Sequence, residues 1–351
     1  MLRLNPPPTL RRVATAEEIE KLVKENKISS ISLRLPTPCN LNCVYCYGSK
    51  DEYRRLRATG EALTYNEIIE TLNQAFNLGV NNISIVGDGE PLLYKVGQED
   101  LHSLIDYIND KGASVILFTN ATLITEELAK KLFKKDIVIV AKQNSPYPLK
   151  QNLLCGKSWA YSRLEEGIRN LIGAGFTRAK PSRLAIHTVI CQQNYEDIPQ
   201  LWRDWRRKNI IPYVQVCVPP LHKEEQKEFL EKYYVEPRKV RDLFHRLLKI
   251  DEEEFGYTWD PNKTYPIAAL GCSVVLSGVG ITPNGNVQMC AYTEHSLGNI
   301  REKSLSDILK SKRIKRIRRF KYSDGCFYGC RALTFNLTGN RFANDPFFWE
   351  K

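Results

Sequence analysis

The segment ISLRLPTPCNLNCVYC, Ile31 to Cys46, carries the reading that decides the fold. Its first half, Ile31 to Leu35, is a short β-rich apolar run. Pro36 and Pro38 end it, because proline removes a ladder donor and fixes its own φ. The second half places three cysteines, Cys39, Cys43 and Cys46, on the loop that the prolines free. Runs of the same kind recur at wide intervals: Ile83 to Val86, Val115 to Phe118, Ile137 to Ala141, Leu184 to Ile190 and Tyr213 to Val218. Helical patterns lie between them. Strands spaced this way cannot be joined by hairpins, so right-handed βα crossovers and a parallel sheet are expected. Ligands of such sheets bind at the carboxyl ends of the strands, and most of the chemically suggestive residues here stand immediately after a strand.

Working outward, a helix is expected from Thr15 to Lys24, behind a proline-rich start. The region from Leu221 to Pro266 holds charged helical stretches and no strand, and reads as a bridge. From Ile267 the chain carries short β-like pieces, one helix and turn-rich segments. The expected division is therefore an N-terminal extension (1–27), a sheet domain (28–220), a helical bridge (221–266) and a small α+β unit organised by its cysteines (267–351).

Ten cysteines in a chain with no apolar signal region behind MLRLNPPPTLRR, and no run of about eighteen apolar residues, point to metal ligands in a reducing compartment rather than disulfides. A cytoplasmic protein without a membrane span is expected. The formal net charge of +11 is partly local. Eight of the twelve residues from Lys310 to Lys321 are basic, yet Leu305, Ile308, Leu309, Ile314, Ile317 and Phe320 recur at helical spacing through and before them. This reads as a surface helix with an apolar underside and a solvated basic face. Nucleic acid is not an expected partner, and the charge favours an anionic small molecule, such as a phosphorylated or nucleotide-linked sugar.

Three thiolates so close together can hold three irons of a [4Fe-4S] cube and leave the fourth open to a small chelating molecule. The alternative is zinc or three buried thiols, but zinc normally wants a fourth protein ligand and no His or further Cys lies near this loop. The spacing CxxxCxxC, with an aromatic residue before the last cysteine, resembles the signature of the radical S-adenosylmethionine (radical SAM) superfamily. The resemblance implies a partial (β/α)6 parallel barrel in which the amine and carboxylate of S-adenosylmethionine chelate the open iron, with Tyr45 beside the adenine. Gly87-Asp88-Gly89-Glu90-Pro91 is similar to the family's GGEP motif, with Asp at the second position. It implies that Gly87, Asp88, Gly89 and Glu90 bind the methionine amino group. Phe118-Thr119-Asn120 is similar to the TNG-type segment, although Ala121 replaces the usual Gly. In the family, polar residues at these strand ends contact the ribose and carboxylate of S-adenosylmethionine or the substrate, which points to Thr119, Asn120, Lys142, Ser145 and His187. Lys142 stands out, because a lysine directly after the apolar run IVIVA is not expected to face a dry core unpaired.

Cys272, Cys290, Cys326 and Cys330, with Gly285 to Cys290 as G-x4-C and Leu297-Gly-Asn-Ile300, resemble the SPASM/Twitch extension of radical SAM enzymes. Two further cysteines of the full SPASM pattern would fall at Ile317 and Phe320, and the late one near Asp345-Pro346 is replaced by Phe347 and Phe348. One fully ligated auxiliary [4Fe-4S] cluster, the Twitch form, therefore fits better than two. A structural zinc on the same four cysteines is the alternative.

The resemblance implies a shared first step, in which a 5′-deoxyadenosyl radical abstracts hydrogen from an organic substrate. Oxidation is the favoured continuation, with the auxiliary cluster taking the second electron. Radical epimerisation is a second possibility, with Cys217, at the end of the sixth strand, as hydrogen donor, though a buried cysteine is more often packing. Peptide modification is a third, ranked lower because the roughly thirty residues before the first strand leave no room for a leader-binding domain. A reductant such as flavodoxin or ferredoxin is the expected partner protein.

Overall fold

A computed structural model describes residues 5–10, 16–46, 50–218, 223–261, 264, 267–270, 274–290, 296–318 and 330–340. Cys272 and Cys326 lie outside these residues, as do Thr15, Phe320, Phe347 and Phe348. The expected strands form β1 (Ser30–Leu35), β2 (Asn82–Gly87), β3 (Ser114–Thr119), β4 (Ile137–Lys142), β5 (Leu184–Ile190) and β6 (Ile211–Val216). All neighbours among them pair in parallel and in sequence order, as helical crossovers require.

Side chains alternate across these strands. One set, including Leu33, Ile85, Leu117, Ile139, Ile186 and Val214, packs into the main core with Leu72, Leu104, Leu132, Leu171 and Trp202 of the crossover helices. The other set faces inward. Ser32, Ser84, Ile116, Val140, His187 and Gln215, one from each strand, line a single cavity of about 1250 Å³, so the sheet curls around it as a partial barrel. Each fully buried aliphatic side chain of the outer layer contributes about 1.5–3 kcal/mol.

Beyond β6 the chain forms the helices Lys223–Tyr233 and Pro237–Ile250, as the charged patterns indicate, and then a wide turn over Asp251–Phe255. Asp251 is fully buried there. Its carboxylate accepts from Trp202 Nε1 at 2.7 Å, Trp259 Nε1 at 3.0 Å, Arg206 Nε at 2.9 Å and Arg206 Nη2 at 2.7 Å. This pins the bridge to the helix Ile198–Arg207, which precedes β6.

The chain then crosses the open side of the sheet. Ile267 bridges antiparallel to Gln215 on β6, and Ala268 N donates to Val214 O at 2.9 Å. A few residues later β7 (Gly278–Ile281) pairs in parallel with the outer edge of β1. Gly278 suits this close approach, since a Cβ would lie 2.6 Å from Ser30 O. β8 (Asn286–Gln288) and β9 (Ser296–Asn299) continue outward as antiparallel strands, so the C-terminal unit extends the nine-stranded sheet. Arg301 fastens it to the helix Tyr65–Asn77, with Nε 2.6 Å from Glu67 Oε1 and Nη1 2.9 Å from Glu61 O. The Arg301 guanidinium holds the Glu67 carboxyl down at about 2. The basic stretch forms two helices, Leu305–Lys310 and Lys312–Arg318, where one was expected. The break is at Ser311, whose extended backbone closes the first helix while its carbonyl accepts from Lys315 N at 3.0 Å to open the second.

Replacing one partner of a buried ion pair strands the other, at about 3–5 kcal/mol. Asp251→Ala, which strands Arg206 and two indole donors, is expected to lower the unfolding free energy by about that amount, read as a shift of the urea midpoint at constant slope.

Candidate active site

The loop after β1 folds back across the mouth of the cavity. Glu90 N donates to Pro38 O at 2.8 Å, Asn42 N to Cys155 O at 2.9 Å and Val44 N to Leu154 O at 3.1 Å. The cysteine loop is thus clamped between the β2 loop and the end of the helix Pro148–Cys155. Gly89 makes the first contact possible: a Cβ there would overlap the carbonyl oxygens of Thr37 and Pro38.

Cys39, Cys43 and Cys46 all line the cavity, with Tyr45, Gly87, Gly89, Glu90, Thr119, Asn120, Lys142 and His187. Among the described residues no three potential metal ligands converge on one point as a single ion demands. Three thiols on one clamped loop, opening onto a roomy cavity with a glycine-smoothed wall, suit a [4Fe-4S] cluster with a small molecule beside it. For the second cluster, Cys290 and Cys330 line the same cavity, while Cys272 and Cys326 fall outside the described residues.

Glu90 is 1% exposed and accepts from Thr119 Oγ1 at 2.6 Å, Asn120 N at 2.7 Å and Leu92 N at 3.2 Å. Burial nevertheless pushes its carboxyl up to about 7. Asn120 Nδ2 donates to Asn40 Oδ1 at 2.7 Å, Asn40 Nδ2 to Thr122 Oγ1 at 2.8 Å, and Thr122 Oγ1 to Asn120 Oδ1 at 2.7 Å. This closed ring ties the cysteine loop to the end of β3. Ala121 there has φ 58°, a left-handed conformation that explains the usual glycine.

Lys142 Nζ stands 3.3 Å from His187 Nδ1 and 5.0 Å from the centre of the Tyr45 ring. Burial pulls this amine down to about 8, and it drives the His187 imidazole well below its ordinary value, with Lys142 adding to the effect. His187 is therefore neutral, and among the described residues its buried Nε2 makes no hydrogen bond of good geometry, with the Gln215 side chain beside the ring. Phe118 and Tyr213 hold the ring edge-on, at 5.9 and 5.0 Å between centroids.

Three of the candidates stand behind this wall and do not line the cavity. The Asp88 carboxylate accepts from Arg34 Nε of β1 at 2.7 Å. Ser145 is fully buried, its hydroxyl donating to Asp197 Oδ2 at 2.8 Å and its backbone N to Gln151 Oε1 at 2.9 Å. Cys217 is 1% exposed, in an apolar cluster with Tyr45, Leu154, Cys191 and Phe229, and burial raises its thiol far above the ordinary range.

Two residues outside the predicted site set meet the cysteine loop, and a third orients one of them. Asn144 is fully buried, donates to the Tyr45 hydroxyl, and accepts from Val189 N at 3.0 Å. Cys155 packs against Cys39 and Cys43. Gln151 orients it: Oε1 accepts from the backbone N of both Asn144 and Ser145, so Nε2 faces Cys155 Sγ, at 3.2 Å. The only hint in the sequence is that Asn144 follows β4 and Cys155 precedes a glycine that closes a helix. Because the Gly89 contact sets the loop's position, Gly89→Ala is expected to yield protein that folds but takes up less iron than wild type on reconstitution, measured as iron per chain and absorbance near 400 nm.

The radical SAM superfamily model matches residues 35–204, and the model of the SPASM iron-sulfur cluster-binding domain matches 272–331. An AdoMet-dependent heme synthase of Methanosarcina barkeri is 25% identical, covering 90% of this chain and 95% of its own. The Fe-coproporphyrin III synthase of the same organism is 24% identical over 88% of this chain and 84% of its own. Among solved structures, Streptococcus suis SuiB bound to S-adenosylmethionine superposes with a TM-score of 0.63 at 17% identity, over 100% of this chain and 84% of that one, a likeness of fold. This chain therefore belongs to the radical SAM superfamily, with a C-terminal SPASM/Twitch-type domain, catalytic and auxiliary [4Fe-4S] clusters and S-adenosylmethionine as its cofactors.

Proposed function

We propose that this radical SAM enzyme oxidises a large carboxylated substrate of the tetrapyrrole class. The observation that carries the oxidative reading is that Cys290 and Cys330 line the same cavity as Cys39, Cys43 and Cys46. Substrate bound there would have cysteines of both groups on its walls. When bound, the cofactors supply a 5′-deoxyadenosyl radical that takes a hydrogen atom from substrate, and an auxiliary cluster that accepts the electron the substrate then gives up.

The chain's own residues supply orientation and exclusion of water. Lys142 offers a buried positive charge for a carboxylate, of substrate or of S-adenosylmethionine, at the mouth of the cavity. Neutral His187 offers Nε2 as a hydrogen-bonding group without adding charge. Tyr45 presents a ring face, fixed by Asn144, for the adenine. Gly87, Gly89, Glu90, Thr119 and Asn120 form the wall for the methionine end. Asp88 and Ser145 act behind that wall, as supports of Arg34 and of the β4 loop.

The tetrapyrrole class rests on heme synthase and Fe-coproporphyrin III synthase relatives that align along most of this chain, and on a cavity above the usual range for small ligands. Fe-coproporphyrin III carries propionate side chains where heme carries vinyl groups. Loss of a hydrogen atom and then of carbon dioxide and one electron converts the one into the other, which balances with the electron accepted above. Oxidation is preferred to epimerisation through Cys217, whose thiol sits in an apolar cluster and does not line the cavity. Thiols at Cys39, Cys43, Cys155, Cys191 and Cys217 suit a cytoplasmic setting.

Anaerobically reconstituted, reduced protein is expected to form 5′-deoxyadenosine, and the Cys39→Ala, Cys43→Ala, Cys46→Ala variant to form none. Fe-coproporphyrin III should accelerate this and lose carbon dioxide plus two hydrogens per converted side chain, seen by mass spectrometry. A tetrapyrrole that neither accelerates cleavage nor changes mass would sink the substrate assignment. Cys290→Ala should keep 5′-deoxyadenosine formation and lose the oxidised product.

A further inference from the structure

The helix Pro148–Cys155 has two unlike faces. Its inner face buries Gln151, Leu154 and Cys155 and clamps the cysteine loop through the carbonyls of Leu154 and Cys155. Its outer face leaves Leu149 86% and Leu153 68% exposed, one turn apart, flanked by Tyr147 at 56% and Trp159 at 39%. These are four of the five large apolar side chains exposed among the described residues. Apolar side chains scattered singly need no explanation, but a contiguous group on one short segment does.

The patch is rigid. Lys150 Nζ lies 5.5 Å from the centre of the Tyr147 ring and 2.7 Å from Asp197 Oδ2. Asn152 fixes the loop that bears Trp159, donating to Ser158 O at 2.6 Å and accepting from Tyr161 N at 2.7 Å. Around it the chain offers Lys150, Lys157 and Arg163 and, from Tyr147 to Leu164, no acidic residue, although Lys150 is paired with Asp197. Lys157 and Arg163 are exposed there, Arg163 with Glu166 3.7 Å away.

We propose that this patch docks the reductant, a small acidic one-electron carrier protein of the flavodoxin or ferredoxin type. An apolar centre with a basic surround is complementary to such a carrier, and redox encounters use small interfaces of this kind. The position fits the task, because the patch is separated from the cysteine loop by one helix, about 10 Å thick. With flavodoxin, the anionic hydroquinone gives up one electron and becomes the neutral semiquinone, and the catalytic cluster gains that electron, with no proton moved.

The inference rests on the radical SAM assignment, and its test keeps the two apart. Cleavage of S-adenosylmethionine is followed in holoenzyme with two electron sources, bacterial flavodoxin in its hydroquinone form and dithionite, which needs no docking site. Leu149→Glu/Leu153→Glu is expected to slow 5′-deoxyadenosine formation about tenfold or more with flavodoxin and to leave the dithionite rate unchanged, since both side chains point into solvent. Lys157→Glu/Arg163→Glu is expected to slow the flavodoxin reaction by a factor that shrinks as salt rises. Wild-type rates with flavodoxin in both variants would overturn the proposal. So would equal loss with both reductants at full iron content, or a wild-type dimer that the leucine variant dissociates, because the patch would then serve the chain itself. No 5′-deoxyadenosine from wild type with dithionite would instead strike the assignment beneath it.

Discussion

The cysteine loop can lie over the cavity only because the loop of the neighbouring strand lets it in. Parallel pairing sets Leu35 of β1 level with Gly87 of β2, so the two following loops leave the sheet side by side and compete for one space. The conflict is resolved by a missing Cβ at Gly89 and a hydrogen bond from Glu90 N to Pro38 O. The same Glu90 reaches on to Thr119 and Asn120 of the third strand. One buried carboxylate and one glycine therefore join three strand ends into a single wall, and the cysteines take their places from it.

How far this could be read in advance depended on whether the information was local. The six strands were legible because each is a short apolar run bounded by breakers, and their parallel order followed from their spacing. That the three cysteines share one loop at the cavity was legible because they stand within eight consecutive residues. What could not be read was which way a strand-end side chain turns. Asp88 and Ser145 sit in the right segments, yet one turns to Arg34 and the other to Asp197, partners far along the chain that only the folded register supplies. Cys155 and Cys191, two isolated letters in the sequence, meet the cluster loop or Tyr45 for the same reason. Ser311 breaks the basic helix where apolar periodicity alone runs straight through, because serine serves a cap as readily as a helix interior.

The C-terminal unit joins the barrel by continuity of backbone. Its approach is guided from both sides of the open face, by the bridge at Gln215 and by the β1 edge, and its first strand becomes part of the same sheet. Polar fastenings such as Arg301 on Glu67 then fix its angle. An auxiliary centre held this way shares the rigidity of the barrel, which suits a group that must stay at a set distance from the substrate.

Pairing of β1 with β7 also has a temporal side. Ser29 and its partner Ser277 are 248 residues apart, so β1 leaves the ribosome long before the segment that covers its outer edge. During that interval β1 presents a row of unpaired backbone groups, the kind of template on which nascent chains misassociate. The cell therefore meets this sheet with an open seam over the synthesis of more than two hundred residues, and the closing stitch is supplied only when the segment of β7 emerges.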